Sequence, residues 1–410
     1  MSGNSASGKW FQPIADTERI EFIDVLRGFA LLGVCLVNLV IFSGDGYITD
    51  AQRELLPFAA ANMVVNFLIH FFAENKFLGL FAFLFGLGFS IQIQRAQARG
   101  STGIGRFYRR IGWLFVFGAV HGWLLWWGDI LRFYALWGML LPLFIRLRPR
   151  TILMLALTIS IVIAPLGGRI ASMLYPAARE ASNLDAQAFT AFSLGSYAEM
   201  LRLNWLYDWS TTASPGQVAY QLAIFGRLLL GLWAGQVMLF HDLSKNRPLF
   251  RKVFVWGILL GLAGNALFAS LPLLQGHGYA VTGWWRTAVR SLYEIGYLGF
   301  TAAFACGLAL LIQRERWTKL LHLLAPVGRM ALTNYLTQTI IGLWLFYAFL
   351  SGPALMGKVG VAMLLPMWLI IFAVQVGFSH WWLRRFKFGP AEWVWRSLTY
   401  RRFQPFRIAR

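Results

Sequence analysis

A histidine and an aspartate eight positions apart form the part of the sequence that most directly suggests chemistry. His121 lies within an apolar run, and Asp129 follows at a Gly128-Asp129 corner before the next apolar run. An imidazole exchanges a proton near neutral pH, which acyl transfer to a hydroxyl or an amine requires. A neighbouring carboxylate can orient the imidazole. We predict that His121 and Asp129 form a catalytic pair. The alternative is a structural histidine beside an aspartate that caps the next helix.

A set of polar side chains lies in or beside the apolar runs, where a polar group is unfavourable unless it is paired or faces water. The set comprises Asp24, Arg27, Asn38, His70, Arg132, Tyr134, Asn334 and Gln338. The first three share one helix face, since steps of three and four residues repeat on a helix. We predict that the set lines a substrate path. The alternative is packing, with Asp24 and Arg27 as an ion pair and the amides as hydrogen bonds between helices.

Four arginines near the second and third apolar runs are candidates for binding an anionic co-substrate. They are Arg95, Arg99, Arg109 and Arg110. The planar guanidinium group matches phosphate geometry, so we expect these residues to hold the phosphates of an acyl-CoA. Acyl-CoA would then be a co-substrate, and we expect no tightly bound cofactor. The alternative is that these arginines only mark the cytoplasmic side of the membrane.

The composition excludes an ordinary soluble protein. Of the 410 residues, 58% are hydrophobic and only 13% are charged, whereas a soluble protein carries about 25% charged residues. The net charge is +20. The basic residues that produce it lie between the apolar runs and in the tail, a distribution that is typical of membrane proteins and not of nucleic-acid binding. Cys35 and Cys306 fall inside apolar runs and are interpreted as packing residues. We find no Walker loop, nucleophile elbow or metal-ligand spacing, so we expect no metal.

Continuous apolar runs predict an all-α polytopic membrane bundle of about ten transmembrane helices, because a span needs about 20 apolar residues and barrel strands would alternate. The predicted spans are Phe22–Ser43, Phe77–Gln94, Ile111–Trp127, Ile130–Ile145, Thr151–Leu174, Val218–Phe240, Val253–Leu274, Leu292–Ile312, Met330–Leu350 and Val361–Leu383. Every second loop is basic, which predicts that both termini lie in the cytoplasm. That register requires Phe58–Ala73 to lie along the outer interface as an additional helix.

The same pattern suggests five parts of the chain. They are a cytoplasmic segment 1–21, a first membrane bundle 22–174 that holds the candidate site, an external segment 175–216, a second membrane domain 217–400 and a basic tail 401–410. The bilayer is the expected partner, and the cell inner membrane the expected location. The sequence leaves the oligomeric state open.

Five motifs resemble the YeiB-type family of bacterial membrane proteins. They are the opening Arg19…Asp24-Val-Leu-Arg27-Gly28…Asn38, Lys76-Phe…Gly86-Leu-Gly88, His121…Gly128-Asp129…Tyr134-Ala135, Pro326…Gly328-Arg329…Asn334-Tyr335…Gln338 and Gly389-Pro390…Tyr400. The resemblance covers nearly the whole chain and implies a polytopic protein with a C-terminal domain of unassigned function.

The Asp24-x-x-Arg27-Gly28 entry to the first helix is also distantly similar to transmembrane acyltransferases of the heparan-α-glucosaminide N-acetyltransferase type. That resemblance implies transfer of an acyl group from cytoplasmic acyl-CoA to an external saccharide or lipid-linked acceptor. The external-loop histidine of that relative has no counterpart here, so His121 would serve instead. The alternative functions are a transporter or flippase that uses the polar stripe as a path, and a non-catalytic scaffold. We find no inverted repeat in the sequence. Many transporters contain such a repeat, so its absence argues against the transporter alternative.

Overall fold

The computed structural model describes residues 21–174, 181–212, 214–271 and 282–408. These residues form helices and connecting turns, and no β-strand occurs among them. Parts of four expected segments lie outside the described residues: residues 1–20 of the N-terminal segment, residues 175–180 and 213 of the external segment, residues 272–281 with the end of Val253–Leu274, and residues 409–410 of the basic tail. Within the described ranges, the all-α prediction is confirmed.

The helices are numbered here in chain order. The first ten are α1 (Glu21–Ser43), α2 (Asp50–Glu54), α3 (Ala59–Phe72), α4 (Lys76–Ala98), α5 (Ile104–Leu124), α6 (Leu131–Gly138), α7 (Pro149–Thr158), α8 (Ala164–Leu174), α9 (Ala181–Leu194) and α10 (Tyr197–Thr212). The others are α11 (Pro215–Gln236), α12 (Arg247–Ala269), α13 (Gly283–Leu311), α14 (Glu315–His322), α15 (Leu324–Arg329), α16 (Ala331–Phe346), α17 (Val361–Leu383) and α18 (Pro390–Tyr400). A π-helical segment, Ile159–Ile163, joins α7 to α8.

Seven helical stretches of the described chain are long and apolar enough to cross a membrane, so the protein is a multi-pass helical membrane protein. They are Glu21–Ser43, Ala59–Ala98, Pro149–Leu174, Pro215–Gln236, Arg247–Ala269, Gly283–Leu311 and Val361–Leu383. Each contains most of one predicted span. The other three predicted spans correspond to α5, which carries Arg109 and Arg110, to the eight-residue α6 with its following turn, and to the 16-residue α16. Ten crossings therefore stay a prediction.

Helix α3 corresponds to the segment expected at the outer interface. Its 14 residues extend over about 21 Å, which is less than the ~30 Å thickness of the hydrocarbon core. Many of its apolar side chains are exposed, among them Met63, Val64 and Phe67. A short turn at Glu74 and Asn75 leads into α4, so α3 and α4 together form the long apolar stretch noted above. The interfacial position of α3 stays a prediction.

Close backbone contact between α4 and α11 forms the centre of the bundle. A Cβ atom at Gly86 would lie 1.9 Å from the Leu228 carbonyl oxygen, and one at Gly231 would lie 1.9 Å from the Phe83 carbonyl oxygen. Small residues favour helix association in lipid because they let backbones approach, where burial of apolar surface adds little. These two glycines therefore determine how closely α11 packs against α4.

The C-terminal helix α18 positions α16 beside α5. The Glu392 carboxylate accepts the backbone N–H of Leu332 at 2.6 Å and of Thr333 at 3.1 Å, which satisfies donors at the start of α16 that have no partner within the helix. Burial raises the pKa of Glu392 above its usual value. The indole of Trp395 donates to the Arg110 carbonyl oxygen at 2.8 Å. Helix α18 thus joins α5 to α16.

Candidate active site

The hairpin between α5 and α6 brings His121 and Asp129 together. His121 Nδ1 lies 2.9 Å from Asp129 Oδ1, and the two residues are 1% and 2% exposed. Gly118 allows the hairpin to close, because a Cβ there would lie 2.3 Å from the Arg132 backbone nitrogen. The second oxygen of Asp129 accepts the Arg132 N–H at 2.9 Å. Asp129 therefore orients the imidazole and also binds the backbone at the start of α6.

The other nitrogen of the imidazole contacts a helix from the second half of the chain. His121 Nε2 lies 2.9 Å from the Thr339 hydroxyl on α16, and Thr339 is fully buried. The Tyr335 ring, one turn earlier on α16, lies 5.2 Å from the imidazole, centroid to centroid. A carboxylate only accepts hydrogen bonds, so Nδ1 of His121 is the donor to Asp129. In the neutral imidazole, Nε2 is then the acceptor for the Thr339 hydroxyl.

Helix α10 covers this end of the hairpin. The Arg132 guanidinium makes a two-pronged ion pair with Asp208, in which Nη1 lies 2.7 Å from Oδ2 and Nη2 contacts Oδ1. Asn204, one turn before Asp208, donates to the Gly122 carbonyl oxygen at 2.8 Å and accepts the Trp127 N–H. Buried charges are stable when they are paired in this way. Helix α10 is therefore attached over the His121 site.

An apolar cavity of about 150 Å³ begins beside the site. Tyr335 and Ile130 lie at the end of it that is next to His121, and Arg27 and Tyr134 are among the other lining residues. The remaining lining consists mainly of phenylalanine and leucine side chains from α4, α5 and α6. The cavity is large enough for a slender apolar chain.

A second cavity of about 60 Å³ adjoins the first and is strongly basic. The two cavities share Gln92, Arg110 and Trp395 in their linings. The arginines of the second cavity are Arg95, Arg99, Arg106, Arg110 and Arg396. Together the cavities form one pocket, the basic pocket, with a cationic end, the arginine mouth, and an apolar end that reaches Tyr335.

Three of the four predicted phosphate-binding arginines line this mouth. The exception is Arg109, whose Nε donates to the Thr399 carbonyl oxygen at 3.2 Å. Arg110 also donates to Gln92 at 3.1 Å and lies over the Trp395 ring. Sequence reasoning did not select Arg106 or Arg396. Arg106 belongs to the same basic run, whereas Arg396 is far away in sequence and joins the mouth only because α18 packs against α5.

The predicted path residues divide into two groups. Arg27 and Tyr134 line the basic pocket, Asp24 pairs with Arg27 at 2.8 Å, and Arg132 lies at the His121 site in its pair with Asp208. Asn38, His70, Asn334 and Gln338 do not line the two cavities.

Two of the amide side chains in this second group make hydrogen bonds between helices. Asn334 donates to Ser379 at 3.0 Å and Gln338 donates to Gln375 at 2.8 Å, which joins α16 to α17. His70 is half-exposed on α3 and contacts Glu74. Thr339 and Asp208, by contrast, contact the site and were not selected from the sequence.

Comparison with known proteins identifies the family. A family model described as "Protein of unknown function (DUF418)" matches residues 234–402. The uncharacterized protein YxaH of Bacillus subtilis (strain 168) is 31% identical over 414 residues, covering 96% of this chain and 97% of the relative. The chain belongs to the YeiB-like family of membrane proteins. The uncharacterized protein YeiB of Escherichia coli (strain K12) is 29% identical over 410 residues, covering 95% of this chain and 98% of the relative.

A further relative, an uncharacterized 39.9 kDa protein encoded in the amylase 3' region of Bacillus acidopullulyticus, is 30% identical over 398 residues. The match covers 96% of this chain and 97% of the relative. The names of these three relatives state no activity.

The buried pair of Arg132 and Asp208 leads to a prediction about stability. Asp208→Ala leaves a buried guanidinium without its carboxylate and should lower the free energy of unfolding by about 3 kcal/mol, measured by thermal unfolding in detergent. Arg202→Ala removes an exposed charge from the same helix and should change little. Replacing both partners, Arg132→Met with Asp208→Leu, should recover part of the loss. Equal stability of the Asp208→Ala and Arg202→Ala variants would contradict this account.

Proposed function

We propose that this protein is a membrane acyltransferase that moves an acyl group from cytoplasmic acyl-CoA to an external saccharide or lipid-linked acceptor. The observation that carries the proposal is the basic pocket, which runs from a cluster of arginines through an apolar interior to Tyr335 beside the His121–Asp129 pair. An acyl-CoA has the same order of chemical groups: phosphates, a long slender arm and a reactive thioester.

The mouth of the pocket suits the phosphate end of CoA. Guanidinium groups bind phosphate oxygens in pairs of parallel hydrogen bonds, and five arginines surround the mouth. Trp395 lies between the two cavities and offers an aromatic surface to the adenine or the arm. Arg110 and His121 are on the same helix, separated by about 16 Å at 1.5 Å per residue. An extended pantetheine arm can cover that distance.

The His121 site suits proton transfer to and from the acceptor. In the neutral imidazole whose Nδ1–H donates to Asp129, Nε2 carries no proton and can act as a general base. Burial excludes bulk water, which would otherwise hydrolyse the thioester. The ion pair between Arg132 and Asp208 keeps α10 over this end, where an acceptor would approach.

The proposed orientation has both termini in the cytoplasm of a bacterial inner membrane. Arg396, from the C-terminal helix, lies with Arg95 and Arg99 at one mouth, so two basic segments occupy the same end of the bundle. Basic segments favour the cytoplasmic side. That end would receive acyl-CoA, and α10 would then lie towards the outer face.

A transporter is the second candidate function, and one observation favours it. Arg227 and Glu294 form a buried ion pair between α11 and α13, with Arg227 Nη2 2.5 Å from Glu294 Oε2. Intramembrane ion pairs often belong to ion or proton pathways. Against this candidate, Asn334 and Gln338 take part in hydrogen bonds between helices.

Binding of CoA gives one prediction. Arg99→Ala and Arg396→Ala should each weaken CoA binding by about tenfold, because a charge-assisted hydrogen bond contributes about 1.5 kcal/mol or more. Isothermal titration of the purified protein measures this. Pantetheine lacks the nucleotide phosphates, so its affinity should be the same for both variants and the unmodified protein. Arg251→Ala, at an exposed position, is the matched control. Loss of pantetheine binding, or unchanged CoA binding, would contradict phosphate recognition at this mouth.

Transfer across the bilayer gives another prediction. Protein reconstituted in vesicles, with labelled acetyl-CoA on the side of the arginine mouth, should label acceptors on the opposite side. His121→Ala should reduce the rate by about 10² to 10⁴, the usual contribution of general base catalysis. His241→Ala removes an exposed histidine and should retain the rate. If no label reaches any saccharide or lipid-linked acceptor and CoA does not bind, the protein is not an acyltransferase.

A further inference from the structure

The hydroxyl of Thr339 makes an unusual contact for a threonine within a helix. Such hydroxyls commonly bond to the carbonyl oxygen four residues earlier. Thr301 and Thr399 do so here, at 3.0 Å and 2.7 Å. Among the hydrogen bonds of the described residues, Thr339 instead contacts Nε2 of His121 at 2.9 Å. The hydroxyl is therefore held against the nitrogen that can remove its proton.

The three groups form a relay in a defined order. Asp129 Oδ1 accepts from Nδ1 of His121 at 2.9 Å, and Nε2 faces the Thr339 hydroxyl at the same distance. A carboxylate that orients an imidazole, and an imidazole that removes a proton from a hydroxyl, is the arrangement that activates an oxygen nucleophile. All three residues are almost completely buried.

The end of the basic pocket lies next to this relay. Tyr335 lines the pocket and is one turn before Thr339 on α16, with its ring 5.2 Å from the imidazole. Residues four apart on a helix share a face, with Cβ atoms about 6 Å apart. A thioester at the inner end of the pocket would lie against Tyr335, which is one helical turn from Thr339 along α16.

We infer that Thr339 is the nucleophile and carries the acyl group as an ester between donor and acceptor. The inference rests on the proposed acyltransferase function and names the intermediate of that reaction. The acceptor class is unchanged: a compound with a hydroxyl or an amine.

The first half-reaction transfers the acyl group to the protein. Thr339 Oγ1 attacks the thioester carbonyl carbon while His121 Nε2 takes the hydroxyl proton. The C–S bond breaks, the sulfur receives that proton from His121, and CoA leaves as the free thiol. The product is a threonine ester, and His121 is neutral again.

The second half-reaction transfers the acyl group to the acceptor. The hydroxyl or amine of the acceptor gives its proton to His121 Nε2 and attacks the ester carbonyl carbon. The bond between that carbon and Thr339 Oγ1 breaks, and Oγ1 takes the proton back. Neither step needs an oxidant, a reductant or a metal. CoA and the acceptor need not occupy the site at the same time.

The direct test is incubation of the purified protein with [¹⁴C]acetyl-CoA in the absence of acceptor. We expect a burst of free CoA thiol approaching one per protein chain, and one acetyl group on the peptide that contains Thr339 by mass spectrometry. The adduct should resist neutral hydroxylamine, as an oxygen ester does, whereas an acetyl-imidazole would not.

Three variants complete the test. Thr339→Val keeps the shape of the side chain and should abolish the label and reduce transfer at least 100-fold, while its affinity for CoA stays unchanged. Thr339→Ser should retain both label and transfer. Thr301→Val, at another buried threonine, is the matched control and should behave as the unmodified protein.

Two results would overturn the inference without removing the proposed function. The first is transfer by Thr339→Val at the unmodified rate. The second is a different pattern of labelling. No label on the protein, with release of CoA only when acceptor is present, would indicate direct transfer, and a label on His121 would indicate an acyl-histidine intermediate. If the protein neither binds CoA nor releases it with any acceptor, the proposed function is wrong, and the inference is wrong with it.

Discussion

An imidazole inside an apolar helix bundle needs a hydrogen-bond partner at each nitrogen, because a buried polar group without one is costly. His121 meets this requirement with two partners from distant parts of the chain. Asp129 is eight residues away on the same hairpin, and Thr339 is 218 residues away on α16. A single side chain thereby makes hydrogen bonds to both halves of the protein. The close contact of Gly118 with α6 and the capping of α16 by Glu392 both serve that junction.

The charged side chains near His121 fall into two sets, a buried ion pair at one end of the site and a cluster of arginines at the other. Arg132 and Asp208 are buried together, which holds α10 across one end of the site. At the other end, five arginines line one cavity, the arginine mouth. Guanidinium groups bind phosphate oxygens through paired hydrogen bonds, so the arginine mouth is consistent with phosphate binding.

The sequence predicted the local part of this arrangement well. His121 and Asp129 could be paired because a tight corner returns the chain within eight residues. The seven long apolar helices could be predicted because the hydropathy of each run is a property of its own sequence and does not depend on how the helices pack. Arg95, Arg99 and Arg110 were selected because they form one basic run.

The parts that depend on packing between distant helices could not be predicted. Thr339 is an ordinary residue in an apolar helix until α16 is placed beside α5. Arg396 joins the arginine mouth only through the contact of α18 with α5, and Arg109 of the predicted set binds a backbone carbonyl instead. Asn334 and Gln338 were expected to line a path. A single sequence does not distinguish an amide that lines a cavity from one that makes a hydrogen bond to a neighbouring helix, as these two do to α17.

The central claim is that acyl-CoA occupies the basic pocket with its acyl end beside Tyr335. An acyl-CoA analogue with a diazirine at the end of a short acyl chain tests it most directly, through photolabelling followed by peptide mapping. Labels on Tyr335, Ile130 or Leu131 that disappear in excess CoA are the expected result. Labels confined to lipid-facing side chains, or labels that excess CoA does not reduce, would contradict the account.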